Sequence, residues 1–405
     1  MSQLADSLAS RGSLRVLAAL FLVALALRPQ ILAIGPLLLG IQTDLGVSHG
    51  VAGLLGTIPV LCMGLFAPLG AVLAASLGPR VAIATCVLVI AGAGLLRALL
   101  PGVPAVMVTT VGIGIGMGVI GPILPAVVRG HLPRHPAAGT GAYVAGLILG
   151  GTIAAAVAVQ LADGFGGWRP SLAIISGAAL ISLAAWWLLL PRDPMRRRAV
   201  PTWPSLPWRR SLGWHLGLAF AFQSMLFYGS VSWIASVYVE RGWSAGQAAT
   251  LLAMLNGMGL LTGLTIPLWA DRYGSRRQQL TGAALFAVGG MLGVTLGVGA
   301  TPGSAEAIVA TLALGIGLGA FFPLVLTLPV DVGGSPSEVA SLSALMLFVG
   351  YVLSSISPVL LGVFRDATGN FGASLWLLVA IATAMLPMSL SLGEGRLRRA
   401  EAQPQ

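Results

Sequence analysis

Gly114-Ile-Gly116-Met-Gly118-Val-Ile-Gly-Pro122 and Gly315-Ile-Gly317-Leu-Gly319-Ala-Phe-Phe-Pro323 are two copies of one string, about 200 residues apart in a chain of 405. Each lies within an apolar run, where spaced glycines let neighbouring helices approach closely. Two such copies mark equivalent helices of a duplicated arrangement. A second pair of strings aligns at nearly the same offset: Ala74 to Arg80 with Ala270-Asp271-Arg272-Tyr273-Gly274-Ser275-Arg276. Gly116-Met-Gly118-Val-Ile-Gly121 also satisfies the G-x-G-x-x-G pattern of dinucleotide sites. That reading fails, because no strand pattern precedes it and the run around it is long enough to span a membrane.

Outward from these strings the chain is apolar almost throughout. Hydrophobic residues make up 57% of it and charged residues 8%, with a mean hydropathy of +0.93. These values exclude an ordinary soluble domain. Each apolar run is long enough to cross roughly 30 Å of hydrocarbon as a helix. The runs predict six helices over 14–39, 50–75, 81–99, 105–127, 140–162 and 170–190, and six more over 212–239, 247–270, 280–300, 305–328, 339–363 and 373–392. Between the sets lies PRDPMRRRAVPTWPSLPWRR, rich in proline and arginine and without apolar periodicity, which reads as a linker. The expected architecture is an all-α membrane protein of twelve transmembrane helices in two pseudo-symmetric halves. Its divisions are a first half over 1–190, a linker over 191–211 and a second half over 212–405. The first helix resembles a secretory leader, with Arg11 and Arg15 before an apolar stretch and Ala24-Leu25-Ala26 as an A-x-A string. Hydrophobicity continues to Leu39, longer than a leader's core, so the reading keeps it as a span.

All 22 basic side chains are arginine, for a formal charge of +10. Their placement favours a membrane over nucleic acid. Arg11, Arg15, Arg80, Arg129, Arg134, the Arg192 to Arg210 group, Arg272, Arg276, Arg277 and the Arg396 to Arg399 tail fall in alternate loops, which the positive-inside rule assigns to the cytoplasm. The opposite loops receive Arg97, Arg169, Arg241 and Arg365. Both termini are then cytoplasmic, in a bacterial inner membrane. Cys62 and Cys86 have neither metal-ligand spacing nor a disulfide framework and read as packing residues.

Few residues carry chemistry. Arg28 is the charged residue placed near the middle of a span, where burial costs about 2.5–3.5 kcal/mol even on the lenient insertion scale. Pro29 follows it, removing an amide donor and displacing the carbonyl of Leu25. The expectation is a kinked helix whose guanidinium faces a cavity, with binding to neighbouring carbonyls as the structural alternative. A planar, permanently charged fork of donors suits a small anion or carboxylate. No Asp or Glu falls mid-span, which disfavours a proton-driven pump for cationic drugs. Ser224, Tyr228, Ser232 and Ser236 recur every four residues in the seventh helix, with Gln223 and Trp233 beside them, and serve either substrate or helix contacts. Tyr143, Asn256 and Tyr351 are isolated polar groups in other spans. His215 beside Trp214 reads either as an interfacial residue or as a switch near neutral pH. No paired carboxylates, metal cluster or Ser-His arrangement points to an enzyme, a cofactor or a metal.

Parallel six-helix halves joined by a linker resemble the major facilitator superfamily, whose halves rock about a midplane site. The loop string Trp269-Ala270-Asp271-Arg272-Tyr273-Gly274-Ser275-Arg276-Arg277 resembles that superfamily's motif between the second and third helices of a half. The resemblance implies a gate built from Asp271, Arg272, Gly274 and Arg276, against the plainer alternative of a solvated basic loop. Its first-half copy has Ala75 and Ser76 where the acid and arginine belong. Within the superfamily the chain is similar to the cyanate and 2-nitroimidazole transporter family. That similarity rests on Leu27-Arg28-Pro29, Gly35-Pro36-Leu37-Leu38, Ala52 to Thr57 leading to Pro59-Val60-Leu61, and Leu124 to Val128. In the second half it rests on Phe222 to Tyr228, Ala320 to Leu324, Leu342-Ser343-Ala344, Gly350-Tyr351 and Arg365 to Gly369. It implies secondary transport of a small solute such as cyanate or a nitroimidazole without a cofactor. It makes Arg28, Tyr143, Gln223, Tyr228, Trp233 and Tyr351 the pocket residues to test first, with Asn256 as a further polar group. Leu347 stands where relatives often carry glutamine, and Trp233-Ile234-Ala235 replaces their Trp-Leu-Pro, which implies a changed or more apolar substrate. A multidrug exporter is the rival transport reading and a non-transporting receptor the rival class. The partners expected are a small solute and the lipid bilayer, with no nucleic acid, for a monomer.

Overall fold

The computed structural model describes residues 11–133, 135–191, 206–273, 276–297, 301–332 and 336–392. These residues form helices joined by short turns, without a strand among them. Ten helices are long and apolar enough to cross a membrane, and His49–Leu65 with Ala67–Leu77 makes an eleventh span bent by 57°. Helix Arg276–Thr295, 20 residues long, completes twelve; two arginines and two glutamines in its first turn dilute its hydropathy.

The first span is broken just before Pro29. Helix Arg11–Leu25 ends, Ala26 to Arg28 turn, and helices Pro29–Leu32 and Ile34–Leu45 continue the crossing. Ala26 N and Leu27 N close on the carbonyls of Val23 and Ala24, both at 3.2 Å. The Leu25 carbonyl, which an unbroken helix would pair with residue 29, instead abuts Gly150 of helix Pro136–Phe165. A Cβ at Gly150 would overlap it, and a Cβ at Gly146 would overlap the Phe21 carbonyl one turn earlier. Glycines at four-residue spacing thus seat the fifth span on the first, the small-residue packing that helices use in lipid.

The repeated glycine strings occupy matching places. In the fourth span, Val103–His131, Gly114 and Gly118 face Pro59 and Cys62 of the second span while Gly116 faces Cys86 and Ile90 of the third. In the tenth, Ala305–Val332, Gly315 and Gly319 face Leu255 and Gly259 of the eighth span, Ala245–Tyr273, while Gly317 faces Ala283 and Ala287 of the ninth. One packing pattern is used twice. Cys62 and Cys86 are buried and free, as their sequence context predicts.

The halves meet closely at one end and part at the other. Near the turns 46–48 and 369–371, here termed the far side, the second span packs along the eleventh, Pro336–Ser354 and Ile356–Thr368. Gly35 of the first span abuts the Val231 carbonyl of the seventh, Ser211–Glu240, and Gly53 fits against Pro358. Toward the opposite, linker side, Ala67–Leu77 turns away at Phe66 and packs on the third and fourth spans of its own half. Pro68 lies in the first turn of that segment. The second and eleventh spans, expected as single runs over 50–75 and 339–363, are each two segments. The fifth and eighth spans stay paired, with Thr152 beside Gly257.

Gly150→Val is expected to destabilise the detergent-solubilised protein by about 1–3 kcal/mol, the usual cost of overpacking. The same change at Gly177, which has open space around it, should leave it unaffected. Melting temperatures of the two variants, followed by size-exclusion chromatography after heating, check the contrast.

Candidate functional site

Between the halves lies a cavity with about 670 Å³ of space unfilled by atoms. The first span lines it with Arg28 and Leu32, the fifth with Val144 and Ile148, the seventh with Gln223, Ser224, Phe227 and Tyr228. The eighth adds Leu255 and Asn256, and the tenth Leu318, Phe322 and Pro323, with glycines from both of these spans.

Arg28 caps the short helix Pro29–Leu32 in a right-handed backbone conformation. Its carbonyl is used locally, accepting from Ile31 N and Leu32 N at 3.1 Å each. The guanidinium carbon lies 5.5 Å from the Phe227 ring centroid and 5.8 Å from that of Phe322. Among the described residues neither a carboxylate nor a hydrogen-bond acceptor engages the Arg28 side chain. Two aromatic faces hold a cation without neutralising it, each worth about 0.5–2 kcal/mol. What results is a fixed positive charge with its planar fork unused, in a largely apolar cavity where Coulombic attraction is strong.

The polar groups around it divide by what they already bind. Gln223 Nε2 reaches the Leu318 carbonyl at 3.4 Å and its Oε1 accepts from the Ser224 hydroxyl at 3.1 Å. Asn256 Nδ2 donates to the Leu252 carbonyl at 2.8 Å. A carbonyl can only accept, so the Asn256 amide is oriented by this bond with its own oxygen left over. The Tyr228 hydroxyl lies 3.9 Å from Met63 Sδ, and the phenol is within Coulombic reach of Arg28.

Of the residues singled out from sequence, Arg28, Gln223, Tyr228 and Asn256 therefore line one cavity. Tyr143 and Tyr351 stand outside its lining, with Tyr351 edge-on to Phe220 at 5.1 Å. Trp233 is elsewhere. Its indole N–H donates to the Pro358 carbonyl at 2.8 Å and its ring packs on Phe371 near the far side. The polar stripe of the seventh span likewise splits, since Ser232 faces Gly56 and the Ser236 hydroxyl is buried without a partner. His215 Nδ1 lies 2.8 Å from the Ser211 carbonyl, at the exposed start of the same span.

On the linker side, Gly274 and the side chains of Asp271 and Arg272 lie outside the described residues. Arg276 Nε is 2.9 Å from Asp331 Oδ2 of the tenth span, and the Arg276 guanidinium also bonds the Thr327 hydroxyl. Both partners belong to the second half. The first-half counterpart, Arg80, bonds the Trp187 carbonyl and lies 4.6 Å from the Trp187 ring centroid. Each arginine fastens spans within its own half.

Arg97 is misplaced by counting charges in loops. It is 0% exposed, inside the first half near the end of helix Pro79–Leu99. Its Nη2 donates to Gln30 Oε1 at 2.7 Å, and Gln30 Nε2 donates to the Ser176 hydroxyl at 3.0 Å. The helix C-terminus adds a favourable partial charge. Gln30 stands two residues from Arg28, so this chain of bonds ties the broken first span to the third and the sixth, Trp168–Leu189. The signal in the sequence was Gln30, a polar residue beside the proline break that the hydropathy reading passed over. Phe227 and Phe322 lie within longer apolar strings, and aromatics in a membrane span carry no signal of their own.

The model of the Major Facilitator Superfamily matches residues 16–358. This chain belongs to that superfamily. It is a major facilitator transporter in fold and class, and its helices sit as in solved members. The nucleoside transporter NupG superposes with a TM-score of 0.76 at 14% identity, over 94% of this chain and 99% of that one. The D-xylose-proton symporter gives 0.73 at 16%, over 94% and 96%. Among curated relatives, the cyanate transport protein CynX of Escherichia coli (strain K12) is 29% identical over 356 residues, 88% of this chain and 91% of its own. The 2-nitroimidazole transporter of the same organism is 28% identical over 396 residues, 96% of this chain and 98% of its own. For this major facilitator, Gln30→Leu is expected to cost about 2–3 kcal/mol by stranding a buried charged donor. Adding Arg97→Met should recover most of that loss. A double-mutant cycle on melting temperature, in which the two changes add instead of compensating, would remove the coupling.

Proposed function

We propose that this transporter carries a small anion or a small, weakly polar planar solute of the cyanate or nitroimidazole kind, and that Arg28 is its fixed contact. One observation carries the reading: a guanidinium stands in the cavity between two phenyl faces with no acid among the described residues to answer it. The cost of placing that charge in a membrane protein is recovered only when an electron-rich guest meets it. The names of the two Escherichia coli relatives support the same class of solute. The apolar lining from Leu32, Val144, Ile148 and Leu318 favours guests that shed water easily over sugars or polyvalent ions.

Tyr228 and the Asn256 oxygen are assigned as neighbours that orient the guest, while Gln223 holds the seventh span to the tenth. Tyr143 and Tyr351 are assigned to the linker-side neck of the cavity, and Trp233 to packing at the far side. Asp271, Arg272, Gly274 and Arg276 are assigned as the linker-side gate. The positive-inside arginines put the linker and both termini in the cytoplasm of a bacterial inner membrane, so the cavity is in its inward-facing state. The halves are assigned to 1–190 and 212–405, joined by 191–211, in a monomer.

Flux into proteoliposomes tests the assignment, with radiolabelled cyanate and a 2-nitroimidazole as the probes. Arg28→Ala and Arg28→Lys are both expected to abolish substrate-dependent flux while the protein remains monodisperse, since lysine offers a point charge in place of the planar fork. Wild-type flux in the alanine variant would end the role of Arg28. Flux of lipophilic drugs in place of either probe would favour the exporter reading, and no flux of any solute would favour a receptor.

A further inference from the structure

Two backbone amides of the first half have their acceptors in the second. Helix His49–Leu65 begins with N–H groups that no turn of its own can satisfy. Val51 N takes the Ser48 hydroxyl at 3.3 Å, the ordinary local cap. His49 N and Gly50 N donate to Asp366 Oδ1 and Oδ2, at 3.0 and 2.7 Å. His49 Nδ1 lies 2.8 Å from the same Oδ1. Asp366 belongs to Ile356–Thr368, so one carboxylate of the eleventh span caps the second span of the other half. A negative group on a helix N-terminus, bonded to its free amides, is a favourable arrangement.

The surroundings are cut to fit this cap. A Cβ on Gly53 would sit 2.5 Å from the Pro358 carbonyl oxygen, and one on Gly362 would overlap the His49 carbonyl. Thr57 Oγ1 accepts from Val359 N at 3.2 Å. The His49 ring rests on Trp233 and Phe371, with centroids at 5.7 and 6.0 Å. Arg365, next to Asp366 in sequence, is turned to Glu240 at 2.8 Å. The Asp366 carboxylate is left to the helix it caps.

For the cavity to open toward the far side, the second span must leave the eleventh and these bonds must break together. We infer that Asp366 is the far-side latch of this transporter, holding the linker-side-open state by capping the second span from the opposite half. The assignment does not rest on Arg28 or on the identity of the solute. It also predicts unequal partners: losing Asp366 frees both amides, whereas losing the His49 side chain leaves both amide bonds in place.

Reporter cysteines in the full-length protein with Cys62→Ala and Cys86→Ala test this without substrate. Ser232→Cys is buried beneath the far-side contact, and Val144→Cys lines the cavity. Membrane-impermeant maleimide is applied to each face of sealed vesicles. Asp366→Ala should raise far-side labelling of the Ser232→Cys reporter by about fivefold or more and lower linker-side labelling of the Val144→Cys reporter. His49→Ala should move each by less than about twofold. Asp366→Asn, which keeps one acceptor oxygen, should give an intermediate shift and replaces Asp366→Ala should that variant fail to fold. Lower melting temperatures with unchanged labelling on both faces, or equal effects of the Asp366 and His49 variants, would overturn the latch.

Discussion

Everything in the site depends on one missing hydrogen bond. Pro29 has no amide proton, so the Leu25 carbonyl loses the partner it would have one turn on, and the first span breaks at Ala26 to Arg28. In lipid such a carbonyl needs a protein surface against it. Gly150 supplies that surface because it has no side chain, and the same glycine face brings the fifth span close enough for Val144 and Ile148 to line the cavity. The turn at Ala26 to Arg28 also rotates the next side chain out of the helix stack. Arg28 enters the cavity at the break, its own carbonyl accepting from Ile31 N and Leu32 N.

A lone half-buried cation in a membrane span is tolerable only if its neighbours lower the cost without cancelling the charge. Phe227 and Phe322 do this through the negative faces of their rings, and a carboxylate in either place would have fixed the guanidinium permanently. Arg97 shows the contrasting solution in the same half. It is fully buried with its Nη2 bonded to Gln30, while its Nε and Nη1 have no hydrogen-bond partner among the described residues. Two arginines of the first half thus do different work: Arg97 holds the frame and Arg28 stays available.

Hydropathy and the repeated glycine strings made the architecture legible, because helix length in lipid and close packing at Gly114, Gly118, Gly315 and Gly319 are both written in local sequence. Bends were legible only where proline sits inside a run already suspected of chemistry. Pro68 lies inside the second apolar run, yet the hydropathy trace passes over it because alanines and leucines continue on both sides. The pocket was half legible. Arg28, Gln223, Tyr228 and Asn256 meet across four spans, but polarity alone could not show that Gln223 is already bonded to Leu318 or that the Trp233 indole is committed to Pro358. Arg97 was misread for a related reason: the positive-inside rule counts charges at span ends and cannot tell an end exposed to water from one enclosed by neighbouring helices.

The distribution of ion pairs explains how such a molecule can move as two bodies. Arg169 with Asp44 lies within the first half; Arg276 with Asp331 and Arg365 with Glu240 lie within the second, and Arg210 at the end of the linker joins Glu338 of that same half. Each fastens spans that travel together, so rocking leaves it intact. Among the described pairs, His49 with Asp366 is the one that joins the halves, and its side chains are 22% and 31% exposed. Partial exposure keeps that contact weak, since water competes for the same donors and screens the charge. A deeply buried latch of the same geometry would trap one state, because a transporter needs its conformations within a few kcal/mol of each other. Strength inside each half and weakness between them is therefore a single design requirement, met by where water reaches the carboxylates.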